Sequence, residues 1–315
     1  MRQPQCVGID YNAKCNAKCL HCCVGSSPQA SAKIDAEKVD QILNDLIKHP
    51  DVCEVGFTGG EPFLEKRQLL TWLKRCADNG MKTNVTTNGF WGITRKSADN
   101  VFRELEEVNL SSLTISYDDF HAEFVSIERI KNVLEASKIS RIPTILNVCV
   151  SKTHTSDQLL SELGSAVFGI KVTKFPVQPC GTGKNIPDEA VYRFPLESLP
   201  SHCPGFELIY YNDGNVYPCC SPPIFDTKMH LGAIGVTDHE GFVQRLERNE
   251  LLAAIQKLGF KWLVEQIKEV NPEAEVANLT EAVSICEVCS KILADHKSLN
   301  LIRDRIHNGL KALNA

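Results

Sequence analysis

The residues best equipped for chemistry in this 315-residue chain are its fourteen cysteines, which gather in two places. Cys15, Cys19, Cys22 and Cys23 crowd one end, while Cys203, Cys219, Cys220, Cys286 and Cys289 fall in the last third. In a chain without a secretory pattern, so many thiols suit a metal or redox centre better than disulfides. Cys15, Cys19 and Cys22 stand at C-x3-C-x2-C in YNAKCNAKCLHCC. Three thiolates on a 4Fe-4S cluster leave one iron free for another ligand. A structural zinc or iron site completed by Cys23 or His21 is the alternative. One strand-helix unit later comes GFTGGEPFL. There Gly59 and Gly60 expose backbone for close approach, and the Glu61 carboxylate can receive an ammonium group.

In the last third, Cys203, Cys219 and the C-x2-C pair Cys286 and Cys289 offer four thiolates from three separated places. That suits a fully ligated second 4Fe-4S cluster, with zinc as the chief alternative. The segment VYPCCSPP sets Cys219 beside Cys220. Neighbours in an extended segment point to opposite sides, so the two thiols cannot share one job. Cys220 either packs as a small buried residue or is a thiol held rigidly between Pro218 and Ser221-Pro222-Pro223, placed to donate hydrogen.

These loops need elements to carry them. The apolar runs QCVGIDY, VCEVGFT, KTNVTT, SLTISY, TILNVCV and GIKVTKF alternate with helical stretches beginning near Lys33, Lys66, Thr94, Phe120 and Thr155. On the first of these, Ile34, Val39, Ile42, Leu43, Leu46 and Ile47 share a face. Six strand-helix units predict an α/β architecture, a partial (β/α)6 TIM barrel with its chemistry on the loops after the strands. After residue 176 the Pro/Gly-rich PVQPCGTGKNIP breaks the pattern, and FELIYYNDGNVYPCC reads as a β-hairpin turning at Asn212, Asp213 and Gly214. From about Gly241 the chain reads as mostly helical, most strongly in LLAAIQKLGFKWLVEQIKEV. The boundary falls between about 180 and 202, giving a barrel over 1–190 and a small C-terminal α+β domain over 191–315.

Composition excludes several classes. Hydrophobic residues at 43% and charged residues at 23% fit an ordinary globular protein. A net charge of -5, a pI near 6.0 and no basic run argue against a nucleic-acid partner. The apolar stretches are strand-sized, so no membrane span is expected. The start, MRQPQCVGIDYN, lacks a signal-peptide pattern, and a cytoplasmic location is expected.

The cysteine loop followed by the GGE motif resembles the radical S-adenosylmethionine (SAM) enzymes. The resemblance implies SAM as cosubstrate, with its amino and carboxylate groups on the free iron and Gly59, Gly60 and Glu61 where the amino group is held. TTNGF with Asn88 and TISYD with Ser116 occupy the places of further SAM contacts. His21 occupies that of an aromatic residue near the adenine. Asn88 and Ser116 can also be read as plain helix caps. The chemistry implied is reductive cleavage of SAM to a 5′-deoxyadenosyl radical that takes hydrogen from unactivated carbon.

The later cysteines resemble the SPASM domain of radical SAM enzymes that modify peptides, in its shortened twitch form, since no C-x5-C-x3-C follows. One auxiliary 4Fe-4S cluster on Cys203, Cys219, Cys286 and Cys289 is implied. The G-x4-C spacing from Gly214 gives Cys219 to that cluster and leaves Cys220 over. The run HCPGFELIYYNDGNVYPCCSPPIFDTKM, together with KVTKFP, GFKWL, SICEVC, SYDDFH and TTNGFWG, is similar to the peptide epimerases that make D-residues in ribosomal epipeptides. Cys220 matches the thiol that, in those enzymes, returns hydrogen to the opposite face of a Cα radical. Glu207 either positions the peptide and steers a proton, or faces solvent.

The resemblance therefore implies a peptidyl epimerase, an isomerase. Its partners would be a ribosomally synthesised precursor peptide and an electron donor such as flavodoxin or ferredoxin. A maturase forming thioether or carbon crosslinks, and a non-catalytic iron-sulfur or zinc protein, are the alternatives. A planar Cα radical takes its configuration from the face that is quenched, so an epimerase needs abstractor and donor on opposite sides of the peptide.

Overall fold

The computed structural model describes residues 5–313. Residues 1–4, which open the segment read for a signal peptide, and 314–315 lie outside the described residues. Strands β1 (Gln5–Asp10), β2 (Val52–Thr58), β3 (Lys82–Thr87), β4 (Ser112–Ser116), β5 (Thr144–Val150) and β6 (Lys171–Pro176) run parallel, each paired with the next. Helices α1 (Ala36–Leu46), α2 (Lys66–Asp78), α3 (Arg95–Glu107), α4 (Asp119–Ala122), α5 (Ile127–Ser137) and α6 (Asp157–Leu163) connect them. The strands alternate by side. Val7, Ile9, Val55, Phe57, Val85, Leu113, Ile115, Leu146 and Val148 join one core with helix residues such as Leu43, Trp72, Leu105 and Val133. At the carboxyl ends of the strands Asp10, Thr58, Thr86, Ser116, Asn147 and Phe175 face a cavity instead. The chemistry is thus positioned by the loops after the strands, as the partial barrel requires.

The remaining strands and α-helices among the described residues are β7 (Phe194–Pro195), β8 (Ile209–Tyr211), β9 (Asn215–Tyr217), β10 (Gly232–Ala233), α7 (His239–Glu247), α8 (Glu250–Lys257), α9 (Gly259–Val270), β11 (Glu281–Ala282), α10 (Ile285–Ala294), α11 (His296–Leu301) and α12 (Arg303–Ala312). The hairpin read around Asn212 to Gly214 is β8 and β9, antiparallel with Ile209 opposite Tyr217. β8 also lies parallel to β1, pairing Gly8 with Ile209. Among the described residues the main sheet therefore runs β10-β9-β8-β1-β2-β3-β4-β5-β6.

Local departures from the sequence reading have physical causes. The first helix begins at Ala36 rather than near Lys33, because Lys33 bridges Asn12 and the Ile34 N–H bonds to the Tyr11 carbonyl. The helix read from Phe120 is a four-residue turn followed by a separate α5. The strong segment 251–270 is broken between α8 and α9 at Gly259, whose φ is +85°. A Cβ there would stand 2.6 Å from the Ser201 carbonyl, the group that accepts from the Phe260 N–H. The break brings the chain just before Cys203 against the helices.

Candidate active site

A cavity of about 390 Å³ gathers most of the residues singled out above. Cys15, Cys19, His21 and Cys22 line it from the loop after β1, Gly59 and Gly60 from that after β2, and Asn88 from that after β3. Ser116 at the end of β4 and Cys220 beyond β9 complete the set. The sulfurs already have donors: Ala17 N–H at 3.4 Å and Asn88 Nδ2 at 3.7 Å for Cys15, and Ser26 N–H at 3.3 Å for Cys22. Burial pushes the Cys15 thiol up to about 11 and raises Cys19 and Cys22 as well. Thiolates so buried need a positive centre beside them.

The GGEP loop docks on the cysteine loop. Gly60 N–H bonds to the Asn12 carbonyl at 2.6 Å and Glu61 N–H to the Lys14 carbonyl at 2.9 Å. A Cβ on Gly60 would come within 2.1 Å of that Lys14 oxygen, so the close approach the glycines permit is first of all to this backbone. Glu61 is fully buried and does not line the cavity. Its Oε1 accepts from Phe63 N–H at 3.0 Å and Thr87 Oγ1 at 2.7 Å, and its Oε2 from Asn88 N–H at 2.7 Å. Burial lifts its carboxyl to about 7 against the pull of these donors. The carboxylate read as an ammonium partner thus clasps the third loop to the second, and the surfaces turned to the cavity are Gly59 and Gly60. Asn88 in turn gives its Nδ2 to Asn16 Oδ1 at 2.9 Å and accepts from Phe90 N–H at 3.1 Å.

His21 lies between Asp118 and Phe120. Its ring stacks on Phe120 at 4.6 Å, its Nε2 is 3.6 Å from Asp118 Oδ2, and its Nδ1 is buried without a hydrogen-bond partner. Burial lowers His21 to about 4, so the ring is neutral. Asp118 Oδ1 bonds to His121 Nδ1 at 2.8 Å, and Oδ2 accepts from Cys149 N–H at 3.0 Å. Burial opposes ionisation of Asp118, but His121 and this N–H outweigh it and hold the carboxyl below its usual range. Sequence reasoning passed over Asp118 and His121, although D-x-x-H places both on one helical turn beside Ser116. It also passed over Thr182 in the Pro/Gly-rich loop. Thr182 gives its N–H to the Cys22 carbonyl at 2.9 Å and its hydroxyl to that of Cys19 at 3.1 Å, clamping the cysteine loop from above.

The second cysteine set converges from three elements. Cys286 and Cys289 lie one turn apart on α10, with Cys203 ahead of β8 and Cys219 behind β9. Burial raises Cys203, Cys219 and Cys289, and after it the charges of neighbouring cysteines: Cys286 on Cys203, Cys220 and then Cys286 on Cys219, and Cys219 on Cys289. Among the described residues, the group of three metal-binding side chains whose ligand atoms all lie within 4.8 Å is Cys19, His21 and His121. Neither cysteine set is so tight. Sulfurs on one zinc at about 2.3 Å would stand only about 3.8 Å apart, closer than either set holds three of its thiols. Cys220 is exposed into the cavity, and Glu207 reaches it: burial, then this carboxylate, push its thiol up to about 11.

Comparison with known proteins fits this geometry. Residues 11–160 match the Radical SAM superfamily. Over 298 residues the chain is 37% identical to YydG of Bacillus subtilis (strain 168), which carries the name of a peptide biosynthesis protein; the match covers 93% of each chain. Its fold is similar to that of anSMEcpe with bound AdoMet and Cp18Cys peptide, with a TM-score of 0.58, 13% identity and 98% and 99% of the two chains covered. It is also similar to BtrN in complex with AdoMet and 2-DOIA, with a TM-score of 0.50, 16% identity and 81% and 88% covered. No helix among the described residues is long and apolar enough to cross a membrane.

Proposed function

The chain belongs to the radical SAM superfamily, and from that premise we propose that it is a peptidyl epimerase, converting L- to D-residues in a ribosomally synthesised precursor peptide. Membership implies SAM and a 4Fe-4S cluster, which together supply a 5′-deoxyadenosyl radical able to take a Cα hydrogen. Cys15, Cys19 and Cys22 would hold that cluster, and Cys203, Cys219, Cys286 and Cys289 a second one. Gly59, Gly60, Asn88, Ser116 and His21 would line the SAM site. The name of the relative YydG supports a peptide as substrate.

The observation that carries the epimerase reading is Cys220, exposed into the cavity that the cysteine loop also lines, but reaching it from the hairpin side. A thiol is a good hydrogen-atom donor to a carbon radical. Return of hydrogen from Cys220 to a planar Cα radical would fix the new configuration and leave the sulfur one hydrogen atom short. Glu207, against that sulfur, is the group placed to hand back the proton. The electron must come from a donor such as flavodoxin or ferredoxin.

The test incubates reduced holoenzyme with SAM and a candidate precursor peptide in D2O. Epimerisation gives no mass change in H2O, one deuterium at Cα in D2O, and a D-residue on hydrolysis. Loss of two hydrogens would identify a crosslinking maturase instead. Cys220→Ala should still form 5′-deoxyadenosine but no D-residue; a D-residue at the unsubstituted rate overturns the assignment.

A further inference from the structure

Cys19, His21 and His121 form a constellation that the proposed reaction leaves partly unused. Their ligand atoms lie within 4.8 Å of one another, and all three side chains line the cavity. Cys19 has a place on the first cluster, whereas the two imidazoles have none. We propose that, before this cluster is built, the chain holds one divalent transition ion of the zinc or ferrous class on Cys19 Sγ, a ring nitrogen of His21 and Nε2 of His121, with water from the cavity as the fourth ligand.

Several features prepare the site. A tetrahedral ion with sulfur at about 2.3 Å and imidazole nitrogen at about 2.0 Å sets neighbouring ligand atoms about 3.5 Å apart, within the 4.8 Å that bounds the trio. His121 Nδ1 bonds to Asp118 Oδ1 at 2.8 Å, which leaves Nε2 for the ion in a carboxylate-histidine-metal arrangement. Asp118 is itself fixed by the N–H groups of Phe120 and His121 at 3.1 Å and of Cys149 at 3.0 Å. His21 Nδ1 is buried without a partner, and Phe120 stacked on the ring sets its plane. A buried ring nitrogen without a hydrogen-bond partner calls for a ligand. Because Cys19 serves both, the ion and the first cluster exclude each other.

The test uses the full chain stripped of iron and kept reduced, with Cys203→Ala and Cys219→Ala to disable the other cysteine set, circular dichroism to verify folding, and Co2+ as probe. One equivalent should give the absorption bands of a tetrahedral cobalt site. Adding His21→Ala or His121→Ala should weaken Co2+ binding at least about tenfold, whereas Cys15→Ala should leave it within about twofold. Retention of the bands by His121→Ala, or their loss on Cys15→Ala, assigns the ion to the C-x3-C-x2-C sulfurs and overturns the proposal. In the unsubstituted cluster-free chain, two equivalents of Zn2+ should give a mixed nitrogen and sulfur shell by X-ray absorption. A sulfur-only shell overturns it as well. Zn2+ added ahead of iron and sulfide should block iron uptake by the first cluster in the disabled chain, and His121→Ala should relieve the block; a block that persists in His121→Ala counts against the trio.

Discussion

Asn212 Nδ2 donates to Asp10 Oδ1 at 2.6 Å, tying the tip of the β8–β9 hairpin to the end of β1 across 202 residues of sequence. Both residues are buried, and burial lifts the Asp10 carboxyl to about 7 while the Asn212 bond pulls the other way. The hairpin leads directly into Cys219 and Cys220, so this bond sets the thiol wall against the cysteine loop. Asn212→Ala strips a buried acid of its partner and should cost about 1–3 kcal/mol in urea unfolding. It should also raise the ratio of 5′-deoxyadenosine to D-residue, because SAM cleavage survives while Cys220 loses its register. An unchanged ratio would show that the hairpin is held by other contacts.

The two cysteine sets are separable by metal content. Cys15→Ala and Cys219→Ala should each lower reconstituted iron from about eight to about four atoms per chain. SAM cleavage should vanish in the first variant and persist in the second. Iron near eight in Cys219→Ala would remove Cys219 from the second cluster.

Glu207 is expected to matter after the first turnover. In Glu207→Gln the first D-residue should form near the normal rate from a protonated Cys220, and later turnovers should slow by about a hundredfold or more, the usual scale for losing a positioned proton donor. Rapid-quench measurement of burst and steady-state phases separates the two. Equal slowing of both phases would give Glu207 a role in holding the peptide instead.

Gly60→Ala drives a Cβ into the Lys14 carbonyl, which is backbone and cannot turn aside. Strain of this kind costs about 1–3 kcal/mol. Here it falls on the junction between the GGEP and cysteine loops. The variant should melt lower, take up iron poorly at the first cluster and fail to cleave SAM; intact SAM cleavage would show that the junction yields.

His239 gives the fold an acid sensitivity away from the cavity. It is buried, with Nδ1 3.2 Å from the Tyr210 hydroxyl and Nε2 3.0 Å from Gln5 Oε1. Burial, and after it the neighbouring His49, lower it to about 4. In the unfolded chain it titrates near 6.5, so between about 6.5 and 4 the unfolded state binds more protons and stability falls as pH falls. At most about 3 kcal/mol is involved. His239→Gln should flatten part of this slope in urea titrations at pH 4 to 7, the rest belonging to residues such as His21. An unaltered slope would mean that His239 does not titrate there.

Much of this architecture is legible in local sequence. The strand runs, the C-x3-C-x2-C loop and the hairpin turn are each set by a few neighbouring residues, and they lie where their patterns place them. The pairing of β8 with β1 is not a local property: nothing in FELIYY names a partner 200 residues earlier. Gly259 carried a signal, but the apolar period on either side of it masked the break. Glu61 shows the opposite limit, since its residue type announces an ion partner while its three bonds, all to neighbouring backbone and hydroxyl groups, emerge only once the loops fold together. Asp118 and His121 went unread because one turn of helix is too short to show a period.

The pairing of β1 with β8 also orders events during synthesis. β1 leaves the ribosome about 200 residues ahead of β8, and one of its edges waits for residues near 209. At about 5–20 residues per second this is roughly ten to forty seconds during which the first strand of the sheet has an open flank. Such an edge is a template for pairing with other chains. The segment that brings Cys219 and Cys220 is thus also the one that covers this flank of β1.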